Sequence, residues 1–240
     1  MMRRATHRRA LLDAASAPYR AASHFAWRFA RGKLGGDPAF WAMLERGLIP
    51  DGERLLDLGC GQGLLAAWLL AARGRHDAGV WPDGFPPPPA LQSLHGVELM
   101  PSDVARGRTA LGPRAFFTQG DIRFTEFGRA HAIVILDVLH YIDYADQDAV
   151  LARVREALPP GGVLLLRIGD ADGGLRFRIS QWVDHVVTYV RGHRMPRLHC
   201  RPLAEWKTVL ARLGFRLDAL PMSSGTPFSN VLLVGRKLKT

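Results

Sequence analysis

Cysteine, lysine and long apolar runs are all scarce in this chain, and each shortage removes a class of protein from consideration. Only two of the 240 residues are cysteine, Cys60 and Cys200, far apart and outside any CxxC pair. Neither a disulfide framework nor a dithiol site can be built from them, and a reducing, cytoplasmic setting is expected. No run approaches the roughly 18 unbroken apolar residues of a membrane span, so no transmembrane segment is expected. The basic opening MMRRATHRRALLDAASA starts like a secretory signal, but Asp13 limits its apolar stretch to Ala10, Leu11 and Leu12, far short of the hydrophobic region such a signal needs. Metal ligands are sparse as well: His185, His193, His199 and Cys200 follow no common zinc spacing, and no metal is expected. Internal repeats are absent.

Lysine provides only four of the 32 basic side chains, so arginine carries most of a formal net charge of +10. Such a field draws anions, whether phosphate, acidic protein or anionic lipid, and the guanidinium fork pairs bidentately with carboxylate or phosphate. Against these shortages stand 48% hydrophobic and 22% charged residues, the balance of a globular protein with a real core. The length suits one large domain but not two with linkers.

Residues 1–50 read as a helical N-terminal extension, with breaks at Pro18, Gly32 and the Gly35-Gly36-Asp37-Pro38 turn. From residue 51 to 240, strand-like runs at 54–58, 94–99, 115–119, 132–137, 163–168, 215–220 and 230–234 alternate with helix-like stretches at 64–72, 102–111, 146–158, 177–190 and 204–213. Strands separated by helices predict an α/β fold, its seven-stranded sheet mostly parallel with helices on both faces. The last two strands are joined by 221–229 without a helix, which predicts an antiparallel pair at one edge. Residues 73–93, with four consecutive prolines at 86–89, read as a Pro-rich insertion laid over the surface.

The most informative segment is Leu55-Leu56-Asp57-Leu58-Gly59-Cys60-Gly61-Gln62-Gly63-Leu64-Leu65. A buried strand runs into three glycines at alternate positions and then into an apolar helix, so backbone N–H groups at a helix N-terminus face the crevice beyond the strand. The spacing is GxGxG with an Asp two residues before the first Gly, whereas a dinucleotide loop needs GxGxxG, and that argues against an NAD-dependent dehydrogenase. A pyrophosphate wants N–H donors and no carboxylate nearby. A ligand with both an α-ammonium and a carboxylate gains from Asp57 and from the loop amides, and S-adenosylmethionine (SAM) carries both groups.

This segment resembles the first motif of class I SAM-dependent methyltransferases, a Rossmann-like family whose seven-stranded sheet ends in an antiparallel pair. The resemblance implies SAM as cofactor, with S-adenosylhomocysteine as product. It assigns Asp57, Gly59, Cys60, Gly61 and Gly63 to the cofactor loop, Glu98 with Leu99 to the ribose-binding end of the second strand, and Asp121 with Ile122 to the adenine corner. Glu98 stands further past the loop than is usual in the family, the insertion accounting for the excess, and an Asp in a Gly-Asp turn also serves as a plain turn former. The fourth strand ends Leu136-Asp137-Val138-Leu139-His140-Tyr141, a corner that in the family lies beside the sulfonium and the acceptor. Asp137 is expected to position the cofactor's amino end or a loop amide. His140 and Tyr141 are the catalytic candidates, His140 either as a general base or as a packing residue at a helix start.

The corner lacks the Pro-Pro-aromatic motif of enzymes that methylate nucleic-acid bases, so a small-molecule acceptor is expected and nucleic acid is not. Acceptor contacts are expected from the extension, acting as an acceptor and cofactor lid with Tyr19, Arg20, His24, Phe25, Trp27, Arg31 and Lys33, and from 173–201. The latter holds Arg176, Arg178, Arg191, Arg194, Arg197 and Arg201 beside Phe177, Trp182 and Tyr189, a mixture suited to a flat, acidic or phenolic acceptor. The segments Ala17-Pro18-Tyr19-Arg20, Phe29-Ala30-Arg31-Gly32-Lys33-Leu34 and Pro196-Arg197-Leu198-His199, with the glycine loop, resemble bacterial methyltransferases associated with aryl polyene and xanthomonadin-type pigments. That resemblance implies an aromatic head group methylated on oxygen or ring carbon, tethered to an acidic acyl carrier protein. A nucleic-acid methyltransferase and a catalytically silent SAM-binding protein are the rival readings.

Overall fold

The computed structural model describes residues 2–169, 198–222 and 230–238; the helix expected at 177–190 and most of the 221–229 link lie outside them. Seven strands, β1 (Gly52–Leu58), β2 (Leu91–Glu98), β3 (Phe116–Gln119), β4 (Ala132–Leu136), β5 (Val163–Gly169), β6 (Phe215–Pro221) and β7 (Asn230–Lys237), are ordered β3-β2-β1-β4-β5-β7-β6. β2 pairs parallel with β1 and β3, whereas β7 runs antiparallel to β5 and β6. The mixed, Rossmann-like sheet with its antiparallel edge is therefore the one expected from the alternation of elements. Two compact units divide the chain within β4, at residues 1–133 and 134–240.

In the first unit the extension is not separate: α1 (Met2–Ser16) packs on α4 (Leu64–Asp77) and on α2 (His24–Gly36), and a 3-10 turn at Ala17–Ala21 packs on α2 and α5 (Pro101–Leu111). Side-chain caps start the helices. Ser23 accepts from the Ala26 amide at 3.0 Å to open α2, and Asp37 accepts from the Ala39 amide at 3.0 Å to open α3 (Pro38–Glu45), with Pro38 in its first turn. Gly32 does not break α2, contrary to the sequence expectation. One glycine costs a helix only about 1 kcal/mol, while Ala26, Ala30 and Leu34, at helical spacing, are each fully buried.

Trp68 on α4 anchors this packing: it is 0% exposed, its indole donates to the Phe40 carbonyl at 2.9 Å, and it meets Trp41 edge-on at 4.9 Å. Burying one such large side chain is worth roughly 1.5–3 kcal/mol. Helix α4 continues to Asp77, helped by an Arg73–Asp77 pair at 2.8 Å one turn apart, and β2 begins at Leu91. The proline-bearing connection is therefore 78–90, narrower than the sequence suggests.

In the second unit, Asp143 caps α6 (Tyr144–Ala157) by accepting from the Asp146 amide at 2.8 Å. α7 (Leu203–Arg212) packs on β6 and buries Trp206 and Leu210. Among the described residues no helix is long and apolar enough to cross a membrane.

Candidate cofactor loop and acceptor corner

Parallel register sets the cofactor candidates level with one another in the first unit: Asp57 lies opposite Gly96, Leu58 opposite Val97, and Glu98 opposite Gln119. The glycine loop then folds over the end of β2, with the Gly59 and Cys60 amides both donating to the Val97 carbonyl at 2.8 and 3.2 Å. Gly59, Gly61 and Gly63 all take positive φ, at 75°, 55° and 80°, which side chains disfavour. A Cβ at Gly63 would stand 2.5 Å from the Phe117 ring, whereas one at Gly61 would meet nothing within 4 Å. Close packing thus reinforces the need for glycine at 63, and at 61 the chain leaves room for a ligand to approach the backbone.

Glu98 joins the loop to the strand end. Its Oε2 accepts from the Gly61 amide at 2.8 Å and its Oε1 from the Met100 amide at 2.9 Å, leaving each oxygen further acceptor capacity. Asp57 is 8% exposed, and no cation among the described residues pairs with it. Burial, and then the neighbouring Glu98 carboxylate, push its pKa up to about 7. Burial followed by Asp57 and Glu98 also pushes the Cys60 thiol up, so the thiol keeps its proton at neutral pH and is no nucleophile there. A buried carboxylate with no counter-ion among the described residues, beside open backbone, fits a ligand that brings a positive group, as the α-ammonium of SAM would.

The third-strand turn is arranged differently. Asp121 accepts from its own neighbour's backbone, the Arg123 amide, at 2.9 Å, and clasps the Arg123 guanidinium at 3.0 and 2.6 Å, which holds its carboxyl below the usual range. It is therefore at least a turn former, with any adenine contact made by lone pairs left over. Ile122 is buried and Leu99 is 58% exposed.

In the second unit, β4 ends at Leu136 and Asp137 follows with φ of 57°, the one positive φ outside glycine among the described residues. Arg167 on β5, itself 3% exposed, clasps the Asp137 carboxylate through two nitrogens, Nε lying 2.8 Å from Oδ1 and Nη2 bonding Oδ2. His140 and Tyr141 lie on the single turn Leu139–Tyr141, their rings 4.2 Å apart. Burial lowers the His140 pKa from 6.5, Asp137 opposes that shift and Arg167 adds to it. The turn is braced by Gln147, whose amide nitrogen lies 3.0, 3.1 and 2.8 Å from the carbonyls of Leu139, Ile142 and His199, and by the His199 amide, which donates to the His140 carbonyl at 2.9 Å.

Sequence reasoning passed over Arg167 and Gln147. Arg167 did leave a signal, a lone charge in the otherwise apolar run Val163-Leu164-Leu165-Leu166-Arg167-Ile168; Gln147 left none. Arg201, expected among the acceptor contacts of 173–201, is instead 2% exposed, paired with Asp148 at 2.6 Å and Glu205 at 3.3 Å and set over the Tyr144 and Trp206 rings. It neutralises two carboxylates and cannot steer a distant partner. Arg176, Arg178, Arg191, Arg194 and Arg197 lie outside the described residues.

The family described as a methyltransferase domain matches residues 27–220. A carboxy-S-adenosyl-L-methionine synthase of Chromohalobacter salexigens is 38% identical over 120 residues, 48% of this chain and 39% of that protein; the match thus spans less than half of either. Among solved structures, an O-methyltransferase family protein from Burkholderia thailandensis is similar with a TM-score of 0.63 and 19% identity, over 92% of this chain and 62% of that one. Magnesium protoporphyrin IX methyltransferase from Synechocystis PCC 6803, with bound SAH, is similar with a TM-score of 0.58 and 15% identity, over 98% and 99% of the two chains. At these identities the structural likeness is one of fold.

Proposed function

The chain belongs to the methyltransferase-domain family, as a class I SAM-dependent methyltransferase, and from that premise we propose that its acceptor is a small molecule with an aromatic or phenolic group, methylated on oxygen or ring carbon. When bound, SAM supplies an electrophilic methyl group on a positively charged sulfonium; the chain's own residues bind, orient and deprotonate. The cofactor set is Asp57, Gly59, Cys60, Gly61, Gly63, Glu98, Leu99, Asp121 and Ile122, with Asp137 as a positioning group. His140 is the base and Tyr141 its companion on the acceptor side. The observation that carries this reading is the placement of His140: half-buried on the turn that follows β4, its ring 4.2 Å from that of Tyr141, with Asp137 partly offsetting the burial that keeps the imidazole neutral and able to take a proton.

The test is transfer of label from methyl-labelled SAM to a panel of phenolic and aromatic acids, each free and as an acyl-carrier-protein thioester. Transfer to phenols, faster for the tethered form at low salt and converging with the free form as salt rises, is expected if the arginine-rich surface steers an acidic carrier. Label appearing only in added nucleic acid would overturn the acceptor class. Tight SAM binding with no turnover on any acceptor would identify a silent binder instead. The relatives that are 38% and 29% identical are both carboxy-S-adenosyl-L-methionine synthases, which favours a second reading in which SAM is itself modified. Mass spectrometry of the cofactor after incubation with carboxylic acids separates the two, a carboxylated cofactor supporting the second.

Glu98 gives a sharper test of the cofactor set. Glu98→Ala is expected to weaken SAM and S-adenosylhomocysteine by roughly 1.5–3 kcal/mol, through lost bonds to a charged acceptor. Calorimetry checks this, and an unchanged affinity would remove Glu98 from the ligand's surroundings.

A further inference from the structure

The family match begins at residue 27, yet the cofactor loop is held from residues before that point. Tyr19, in the 3-10 turn of the extension, is not the acceptor contact expected from the sequence: it is 0% exposed, and its hydroxyl donates to the Gln62 carbonyl at 2.9 Å. Gln62 stands between Gly61 and Gly63 in the centre of the loop, is 1% exposed, and sends its side-chain amide back to the Ala26 carbonyl of α2 at 2.9 Å. The middle residue of the loop is thus tied to the extension twice, once through its main chain and once through its side chain. Burial pushes the Tyr19 phenol far above its ordinary value, so the hydroxyl remains a donor at every working pH.

We infer that Tyr19 and Gln62 are positioning residues that latch the helical extension to the cofactor loop and pre-set the loop in its SAM-binding shape; this rests on the SAM-binding reading above. The physical reason lies in the glycines. Three residues at positive φ give the loop little intrinsic preference for one conformation, and a loop that must be ordered at the moment of binding loses affinity to the ordering. A bond from Tyr19 to the Gln62 carbonyl fixes the peptide between Gln62 and Gly63, whose amide in turn donates to the Cys60 carbonyl at 2.9 Å. The ordering is then done during folding and not during binding. The extension is accordingly a fixed brace, at least at Tyr19, and not a lid that swings on this hinge.

The test uses the full chain with Tyr19→Phe, which removes one oxygen and keeps the ring, and Gln62→Met, which keeps the side-chain length and removes the amide. Both are expected to raise the Kd for SAM and the KM for SAM roughly tenfold, the size of one buried hydrogen bond, while kcat at saturating SAM and the KM for the acceptor stay within about twofold. Hydrogen exchange at the amides of Gly61 and Gly63 is expected to accelerate in both variants. A merely structural role would lower Tm in the variants and leave the Kd and loop exchange unchanged, and that result overturns the inference alone. Failure of the unaltered protein to bind SAM would overturn the functional reading and this inference together.

Discussion

Replacing His140 with alanine is expected to lower turnover on the true acceptor by about 10²–10⁴-fold, the usual range for a lost general base, with SAM affinity nearly intact. The imidazole belongs to the corner after β4, and its pKa lies below 6.5, with burial the largest cause. The sign follows directly. A base with a lowered pKa stays neutral, and competent to take a proton, through neutrality and on into mildly acidic solution. The acid limb of kcat/KM is then expected below pH 6.5, with activity lost as pH falls through the shifted value. Asp137→Asn removes a group that raises His140 and should move that limb to still lower pH. It also strips Arg167 of its carboxylate partner, leaving a charge at 3% exposure partly uncompensated, so this variant should be less stable than His140→Ala. A His140→Ala enzyme that loses stability but keeps both its turnover and its acid limb would make His140 a packing residue. A loss confined to SAM binding would move it to the cofactor's side.

Periodicity and punctuation carried the fold a long way. The alternation of strands and helices is a property of local sequence, and the helix-free link between the last two strands is enough to make them antiparallel. The misjudged points share one cause, tertiary packing overriding a local signal. Gly32 reads as a break in the sequence, but the buried stripe of Ala26, Ala30 and Leu34 outweighs its cost. Arg73 looked like the first residue of an insertion, yet it pairs with Asp77 one turn on and prolongs α4.

For the site, the divide is between main chain and side chain. Glycines that need positive φ announce themselves in any sequence, and Gly59, Gly61 and Gly63 all adopt it. Which carboxylate takes which donor is decided by contacts distant in the chain. Glu98 reaching the Gly61 amide and Tyr19 reaching the Gln62 carbonyl join positions 37 and 43 residues apart, and no local pattern encodes either. Arg201 illustrates the converse: an arginine among arginines reads as one more acceptor contact, and only the arrangement of Asp148, Glu205 and Tyr144 around it shows a buried hub.

The affinity for SAM is expected to depend on pH through Asp57, falling roughly tenfold for each unit below about 7. In the free protein the carboxyl holds its proton up to that value because burial and Glu98 both disfavour the anion, whereas a bound α-ammonium favours the anion, so binding at lower pH must expel a proton. In alkaline solution the ligand's own α-amino group loses its charge, and affinity should decline again. Methylthioadenosine, which has no α-ammonium, should show no acid slope. Asp57→Asn should bind SAM more weakly at pH 7.5 and also lose the slope. Stability moves the opposite way. A carboxyl raised from an ordinary 3.8 to about 7 on folding binds its proton more tightly in the folded state, so its contribution to stability is greatest at low pH, declines as pH rises from about 4 to 7, and is level above that. The cost above pH 7 is at most about 4 kcal/mol, and Asp57→Asn should recover part of it. Thermal melts of ligand-free protein at pH 8 should then rank the Asn variant above the unaltered chain, with saturating SAM narrowing or reversing the order because only the unaltered chain gains the full binding energy. An Asn variant less stable than the unaltered chain at pH 8, together with a flat pH profile for SAM binding in both, would show that Asp57 is not a strained, uncompensated carboxylate and does not receive the cofactor's ammonium.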